Sequence, residues 1–278
     1  NTGVQFTNLS TSYTTTNQIP FVADPFNQPT TVTGGTSGRQ TINLIDPDYS
    51  FPSILRANLA LDRDLGFWGL VGTAEVLYSK TIKDIYYQNL NTKQTGLQPD
   101  GRMQYNGTGP QPAGTAWSYG QQTLRPDPNL NSVLLLTNTN QGNGWSTAFK
   151  VERPFSKGFK VAASYLYGRA YSTVDGVSSV ANSNFNGTPV RFDANNPPLA
   201  RSNYSTGSRI NLMATLPIRL WGGVRSSVSF FYNGQQGRPY DLRYTSTDAN
   251  GEMTGGNDLL YIPANATEVL YTGGVYEN

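Results

Sequence analysis

The sequence predicts an all-β fold, a segment of a large antiparallel transmembrane β-barrel with short periplasmic turns and long extracellular loops. Three observations carry this prediction. Six stretches alternate apolar and polar residues with the period of two that a strand imposes. Short connections rich in glycine or aromatic residues alternate with long polar ones. Aromatic side chains gather at both ends of the alternating stretches, as they do where strands cross two membrane interfaces.

The strands are predicted at about 53–64, 69–90, 132–153, 160–172, 208–218 and 224–245, within one barrel domain spanning residues 1–278. In the first, Leu55, Ala57, Leu59 and Leu61 share one parity, and Arg56, Asn58 and Asp62 the other. In the second, Leu70, Gly72, Ala74, Val76 and Tyr78 oppose Thr73, Glu75 and Ser79. Trp145, Thr147, Phe149 and Val151 then oppose Ser146, Lys150 and Glu152. Val161, Ala163, Tyr165, Tyr167, Arg169 and Tyr171 face away from Lys160, Ser164 and Gly168. The fifth strand sets Ile210, Leu212, Ala214, Leu216 and Ile218 against Arg209, Asn211, Thr215 and Arg219. The sixth sets Val224, Ser226, Val228, Phe230 and Tyr232 against Arg225, Ser227, Ser229 and Asn233. Charges and hydroxyls recur on the second face of every strand, so that face is wet, and the first is predicted to face lipid.

The connections orient the strands. "DLGFWG", "PFSKGF" and "LWGG" are hairpin turns, whereas residues 91–130, 173–206 and 234 onward are long and rich in Gly, Asn, Pro and Thr. Antiparallel pairing then collects the short turns at one end of the sheet and the long loops at the other. Tyr78, Tyr165, Tyr167, Tyr171 and Tyr232 belong to a girdle at the loop end; Phe67, Trp68, Phe155, Phe159 and Trp221 belong to a second one at the turns. Six strands cannot close the smallest single-chain barrel, which has eight. The chain is therefore expected to be a piece of a larger barrel, with plug and N-terminal domains absent.

Composition excludes several functions. Charged residues are 14% of the 278 and the net charge is +2, which leaves no basic patch for nucleic acid. Cysteine and histidine are absent, removing thiolate chemistry, Ser-His-Asp triads and His- or Cys-ligated metals. No paired carboxylates stand out at a catalytic spacing. The expectation is a protein that is not an enzyme, has no cofactor, and has no catalytic, cofactor-binding, metal or ligand-binding residue that the sequence identifies. Two sets of residues invite a binding role. "DANGEMTGGND" places Asp248, Asn250, Glu252, Asn257 and Asp258 among glycines, hard oxygen donors of the kind Ca²⁺ takes, but the later spacing departs from an EF-hand and such clusters usually make turns. Arg56, Asp62, Glu75, Lys150, Glu152, Arg209 and Arg225 line the wet face, where mutual pairing across neighbouring strands is the simplest role and contact with a plug or solute the alternative.

The stretches "INLIDPDYSFPSILRANLALDRDL", "TAEVLYSKTIKDIYYQNLN", "SYLYGRAYSTVDG" and "FFYNGQQGRPYDLRY…NDLLYIP" resemble the C-terminal barrel half of Oar-like TonB-dependent outer-membrane receptors, from Ile42 to Pro263. "GQQGRPY" with "NDLLYIP" is the most specific part. The resemblance implies location in the bacterial outer membrane and energised uptake of a bulky, unidentified ligand. The implied partners are outer-membrane lipid, the remaining barrel strands and plug of the same protein, and, through the plug, the inner-membrane TonB complex. No TonB box, plug or C-terminal aromatic strand occurs in these residues. The alternatives are a secreted or surface β-sandwich that binds glycan or protein through aromatic loops, and a passive porin-like barrel.

Overall fold

The computed structural model describes residues 9–10, 22–27, 36–37, 39–98, 100–105, 125–156, 159–244, 248–252 and 256–264. The strands are β1 (Leu9–Ser10), β2 (Thr36–Ser37), β3 (Gln40–Ile45), β4 (Ser53–Asp64), β5 (Val71–Asn89), β6 (Gln94–Leu97), β7 (Met103–Tyr105), β8 (Leu130–Thr139), β9 (Gly142–Ser156), β10 (Phe159–Ser172), β11 (Ala200–Arg201), β12 (Gly207–Arg219) and β13 (Arg225–Gln235). One short helix, α1, covers Ala181–Gly187. The fold is all-β, and no described helix is long and apolar enough to cross a membrane.

The principal sheet runs β4, β5, β9, β10, β12, β13, with every neighbouring pair antiparallel. Its registers bring the six apolar parities onto one face. Leu61 lies opposite Ala74, Ala74 opposite Phe149, Phe149 opposite Tyr165, and Tyr165 opposite Ile210. One residue along each strand the row becomes Asp62, Thr73, Lys150, Ser164, Asn211 and Asn233. A slip of one residue in any pairing would have mixed the two sets. On the apolar face Leu59, Leu61, Phe149, Val228 and Phe230 are more than half exposed. An uncovered apolar face of this extent is what a bilayer covers, and a sandwich would have packed a second sheet there.

The hairpin turns reveal the strand tilt. Asp64↔Val71, the last pair of the first hairpin, shares a row with Met213↔Phe231, yet the third hairpin continues six residues further, to Arg219↔Arg225. Six residues span about 20 Å, and the two hairpins are separated by four inter-strand spacings, roughly 19 Å. If their turns lie at one membrane surface, the strands tilt by about 45°, within the usual range of outer-membrane barrels. Trp68 and Trp221 are almost wholly exposed at two of these turns, and Trp68 adopts a positive φ of 52°. At the other end, Trp145 packs on Tyr167 with ring centroids 5.5 Å apart. The side chain of Phe155, expected in the turn girdle, lies outside the described residues.

Two predicted strands change their bounds, and one further pairing appears. The strand predicted at 132–153 is divided into β8 and β9, but the two share one register against β5: Lys80 faces Asn143 and Asp84 faces Thr139, four residues apart on both sides. They form one strand interrupted at Asn140 and Gln141. The strand predicted at 224–245 ends at Gln235, because Gly237 and Pro239 follow and proline cannot donate to a ladder. The sheet is also not wholly antiparallel: β3, which lies outside the six predicted strands, pairs parallel with β8 (Ile42↔Val133 to Ile45↔Leu136), on the edge that β10 leaves free once it ends at Ser172, opposite Gly142. The chain then crosses from β3 to β4, and Asn138 fastens the crossing by accepting the Ser50 N–H (2.7 Å) and donating to the Ser50 carbonyl (2.9 Å).

β5 is 19 residues long, about twice what spans a bilayer, so its second half with β8 projects beyond the apolar band. The buried core gathers there. Leu134, Phe185, Val190 and Ala194 form it, with Tyr87 and Ala181 against them.

The face assignment is tested by arginine substitution. Leu212→Arg, on the lipid face, is expected to destabilise the membrane-folded protein by about 2–4 kcal/mol near the midplane, and Asn211→Arg, on the polar face, by much less. Denaturant unfolding in lipid vesicles measures both; equal costs would overturn the assignment.

Candidate functional site

The described parts of the long loops, which composition alone presents as irregular, are woven into a cap. The β6–β7 hairpin is tied to two distant segments: the Met103 N–H donates to the Phe192 carbonyl and the Tyr105 N–H to that of Asn250, both at 2.7 Å. Val190 and Asn257 are joined by a backbone bond of 2.9 Å, and the Leu259 N–H returns to the Val190 carbonyl at 2.9 Å. Three loops far apart in sequence thus exchange backbone hydrogen bonds as strands would.

Asparagine side chains satisfy what the weaving leaves over. A primary amide carries a donor and an acceptor, as a peptide group does, and can stand in for one. Asn195 Oδ1 accepts the Asn89 N–H (2.7 Å) while its Nδ2 donates to the Asn89 carbonyl (3.0 Å), capping the end of β5. Asn91 joins the Asp127 N–H and carbonyl in the same manner. Asn184 accepts from the Val177 and Ser178 N–H groups and donates to the Ser178 carbonyl, holding the approach to α1.

At the centre is a buried charged group. Arg102, 1% exposed, donates to Asp258 Oδ1 at 2.8 Å and to the Leu259 carbonyl at 2.7 Å, and its guanidinium lies 5.5 Å from the Tyr244 ring. Beside it the Tyr105 hydroxyl donates to Asp193. Glu252, almost wholly buried, accepts from the Asn250 and Asn257 amides. Burial, and then the negative charge of Asp258, push its carboxyl from 4.5 up to about 8. Burial also raises Asp258, against the lowering influence of the Ala249 N–H and Arg102.

The residues considered for calcium are therefore brought together, but for another purpose. Both Asp258 oxygens are occupied, one by Arg102 and one by the Ala249 N–H, and both Glu252 oxygens accept amide N–H groups. Asp248 Oδ1 accepts the N–H of Gly251 at 2.7 Å, closing a turn. Asn257 Oδ1 has no hydrogen-bond partner among the described residues, and one open oxygen falls far short of the six to eight that Ca²⁺ takes. Among the described residues no cluster of acids suited to a metal occurs.

Of the polar-face charges, Glu75, Lys150 and Arg209 border a hollow of about 250 Å³ together with Thr73, Ser164 and Asn211, whereas Arg56, Asp62, Glu152 and Arg225 lie outside its lining. The expected ion pairing across strands is not what the side chains do. Lys150 pairs with Glu152 two residues along its own strand, at 2.7 Å. Asp62 accepts from Thr73, Glu75 from Asn58, and Arg209 donates to Gln235. Opposite charges are seldom adjacent in this register, and Arg225 lies directly across from Arg219. Arg56 lies opposite Ser79. The row of polar side chains continues through Asn211, which donates to Ser164 and accepts from Asn233.

A family model described as an outer membrane beta barrel domain matches residues 1–267. No curated protein and no solved structure matches the chain.

Two outcomes test the cap. Because the fold raises the Glu252 pKa, it favours the neutral carboxyl: this contribution is full below about pH 4.5 and is lost as pH rises through about 8. Hydrogen exchange at the Tyr105 and Val190 amides, corrected for intrinsic rate, should lose protection between about pH 5 and pH 9, and Glu252→Gln should flatten that dependence. Arg102→Ala leaves Asp258 buried without its cation and should destabilise the cap by about 3–5 kcal/mol, seen as rapid proteolysis of the loops; adding Asp258→Asn should recover part of the loss.

Proposed function

The chain belongs to the outer membrane β-barrel domain family and so resides in the outer membrane, and from that premise we propose that it is the barrel portion of a TonB-dependent receptor for energised uptake of a bulky ligand. The observation that supports a receptor most strongly is the cap. Ordering long loops costs conformational entropy, and a simple diffusion pore has no need of an extracellular surface with its own buried core and an internal Arg102–Asp258 pair. Loops held on a rigid scaffold are a common place for recognition. The inner face, lined by Thr73, Lys150, Ser164 and Asn211, suits a lumen that holds a polar plug or passes a polar solute. Coupling to the inner membrane is drawn from the resemblance of "GQQGRPY" and "NDLLYIP" to Oar-like receptors.

The remaining partners follow from backbone chemistry. Along the outer edges of β4 and β13 the described residues supply no further strand, and lipid does not tolerate a row of unpaired N–H and C=O groups. Additional strands therefore close the barrel beside them. Among the described residues no second layer covers Leu59, Phe149 and Phe230, and these exposed side chains disfavour the sandwich alternative.

Uptake is tested in cells carrying the intact protein. Collapse of the inner-membrane proton gradient, or loss of TonB, should stop internalisation of a ligand that still binds at the surface. Uptake that continues unchanged would identify a passive porin.

A further inference from the structure

A second hollow, of about 260 Å³, lies among the loops, between residues 172–203 on one side and Pro239, Tyr240, Asp241 and Leu259 on the other. Its wall includes Pro189, Pro198 and Pro239, whose rings are rigid and apolar and whose nitrogens offer no hydrogen. Tyr240, almost entirely exposed, stands at the same wall. Four charged residues reach the lining without Arg243: Asp175, Arg191, Arg201 and Asp241.

Counting Arg243, which clamps Asp241, three arginines stand against two carboxylates at this hollow. Asp175 is committed to its own loop, accepting the Ser172 hydroxyl with one oxygen and the Asn203 N–H with the other at 2.7 Å. Asp241 is clamped by Arg243, which donates from Nε at 2.7 Å and Nη2 at 2.9 Å. Arg191 and Arg201 have no carboxylate partner among the described residues. The Arg191 guanidinium is oriented by two rings, 4.7 Å from Phe192 and 5.5 Å from Tyr261. Arg201 sits on β11, whose backbone is fixed by pairing with Tyr171 and Ser172. Two arginines therefore remain beside an apolar wall without a carboxylate partner among the described residues, Arg191 held by its rings and Arg201 carried on a fixed backbone, while both oxygens of Asp175 are bonded and Asp241 is paired with Arg243.

We propose that this hollow binds the carboxylate-bearing apolar end of a ligand, the carboxylate between Arg191 and Arg201 and the apolar group against the prolines and Tyr240. A guanidinium presents parallel N–H donors that match a carboxylate, and its charge makes those bonds stronger than neutral ones. The hollow is smaller than pockets that engulf a whole drug-sized molecule, so it takes a terminal group. The C-terminal residue of a peptide and a ring carrying a short carboxylate arm share this chemistry. The assignment rests on the receptor reading and narrows its ligand.

The test is equilibrium binding to the intact protein in detergent micelles, by calorimetry, with two probe pairs: benzoylglycine against benzoylglycinamide, and the tripeptide Gly-Gly-Phe against its C-terminal amide. Each acid should bind at least about tenfold more tightly than its amide, since the amide loses the charge-assisted bonds. Arg191→Gln and Arg201→Gln should each erase most of that difference. Both side chains are exposed, and an unchanged protease digestion pattern will confirm that the cap is intact. Tighter binding of the tripeptide identifies a peptide terminus as the source, whereas equal binding identifies the ring and carboxylate alone. Equal affinity for acid and amide, no binding of either acid at millimolar concentration, or variants that keep the discrimination would each overturn the site. The receptor reading fails separately: acid-selective binding with uptake indifferent to the proton gradient removes energised transport and leaves the site, while gradient-dependent uptake with no acid preference does the reverse.

Discussion

Everything in this protein depends on finding a partner for each backbone N–H and C=O where water is scarce. The two halves meet that requirement differently. In the bilayer the ladder of β4, β5, β9, β10, β12 and β13 pairs the groups strand to strand, and the register follows from keeping every apolar side chain on one face. Above the bilayer no ladder is available for most of the loop backbone. Short exchanges such as Tyr105 with Asn250 are supplemented there by the amides of Asn91, Asn184 and Asn195, each acting as a substitute peptide group.

This difference explains what the amino-acid sequence discloses. A strand of alternating environment writes its pattern with a period of two, so the parity of Tyr165 and Tyr167, or of Leu212 and Asn211, is readable one stretch at a time, and the six parities then have to agree. The cap has no period. Nothing in the neighbourhood of Asn195 indicates that its amide will close the end of β5 at Asn89, because that bond depends on a chain reversal 106 residues long. Abundant asparagine was readable only as loop, although it also supplies the bonds that order the loops. The "DANGEMTGGND" stretch shows the same limit: its oxygens suggest a cation site until Arg102, from a hairpin 156 residues earlier, is found on Asp258. Parallel pairing of β3 was equally hidden, since it uses an edge that exists only because β10 ends early.

Arg102 also separates the energetics of the two regions. The sheet is stabilised by its ladder and by lipid on its apolar face, and its polar row of Asp62, Thr73, Asn211 and Asn233 faces a wet interior where single hydrogen bonds contribute little. In the cap, a charge and its counter-charge are withdrawn from water together with Glu252, so that removing one member leaves the others at a cost. The hairpin and the 256–259 segment are thereby coupled, since Arg102 holds one to the other.

The interleaving of the β6–β7 hairpin with residues 190–195, 248–252 and 256–259 has an immunological consequence. No continuous peptide reproduces a surface whose neighbours come from three separate stretches of chain, so antibodies against the native cap will recognise a discontinuous epitope and will fail on the denatured protein. A bacteriophage that docks on the same loops would face the same condition, and a single substitution at a buried position such as Arg102 could confer resistance without altering any residue that the phage touches.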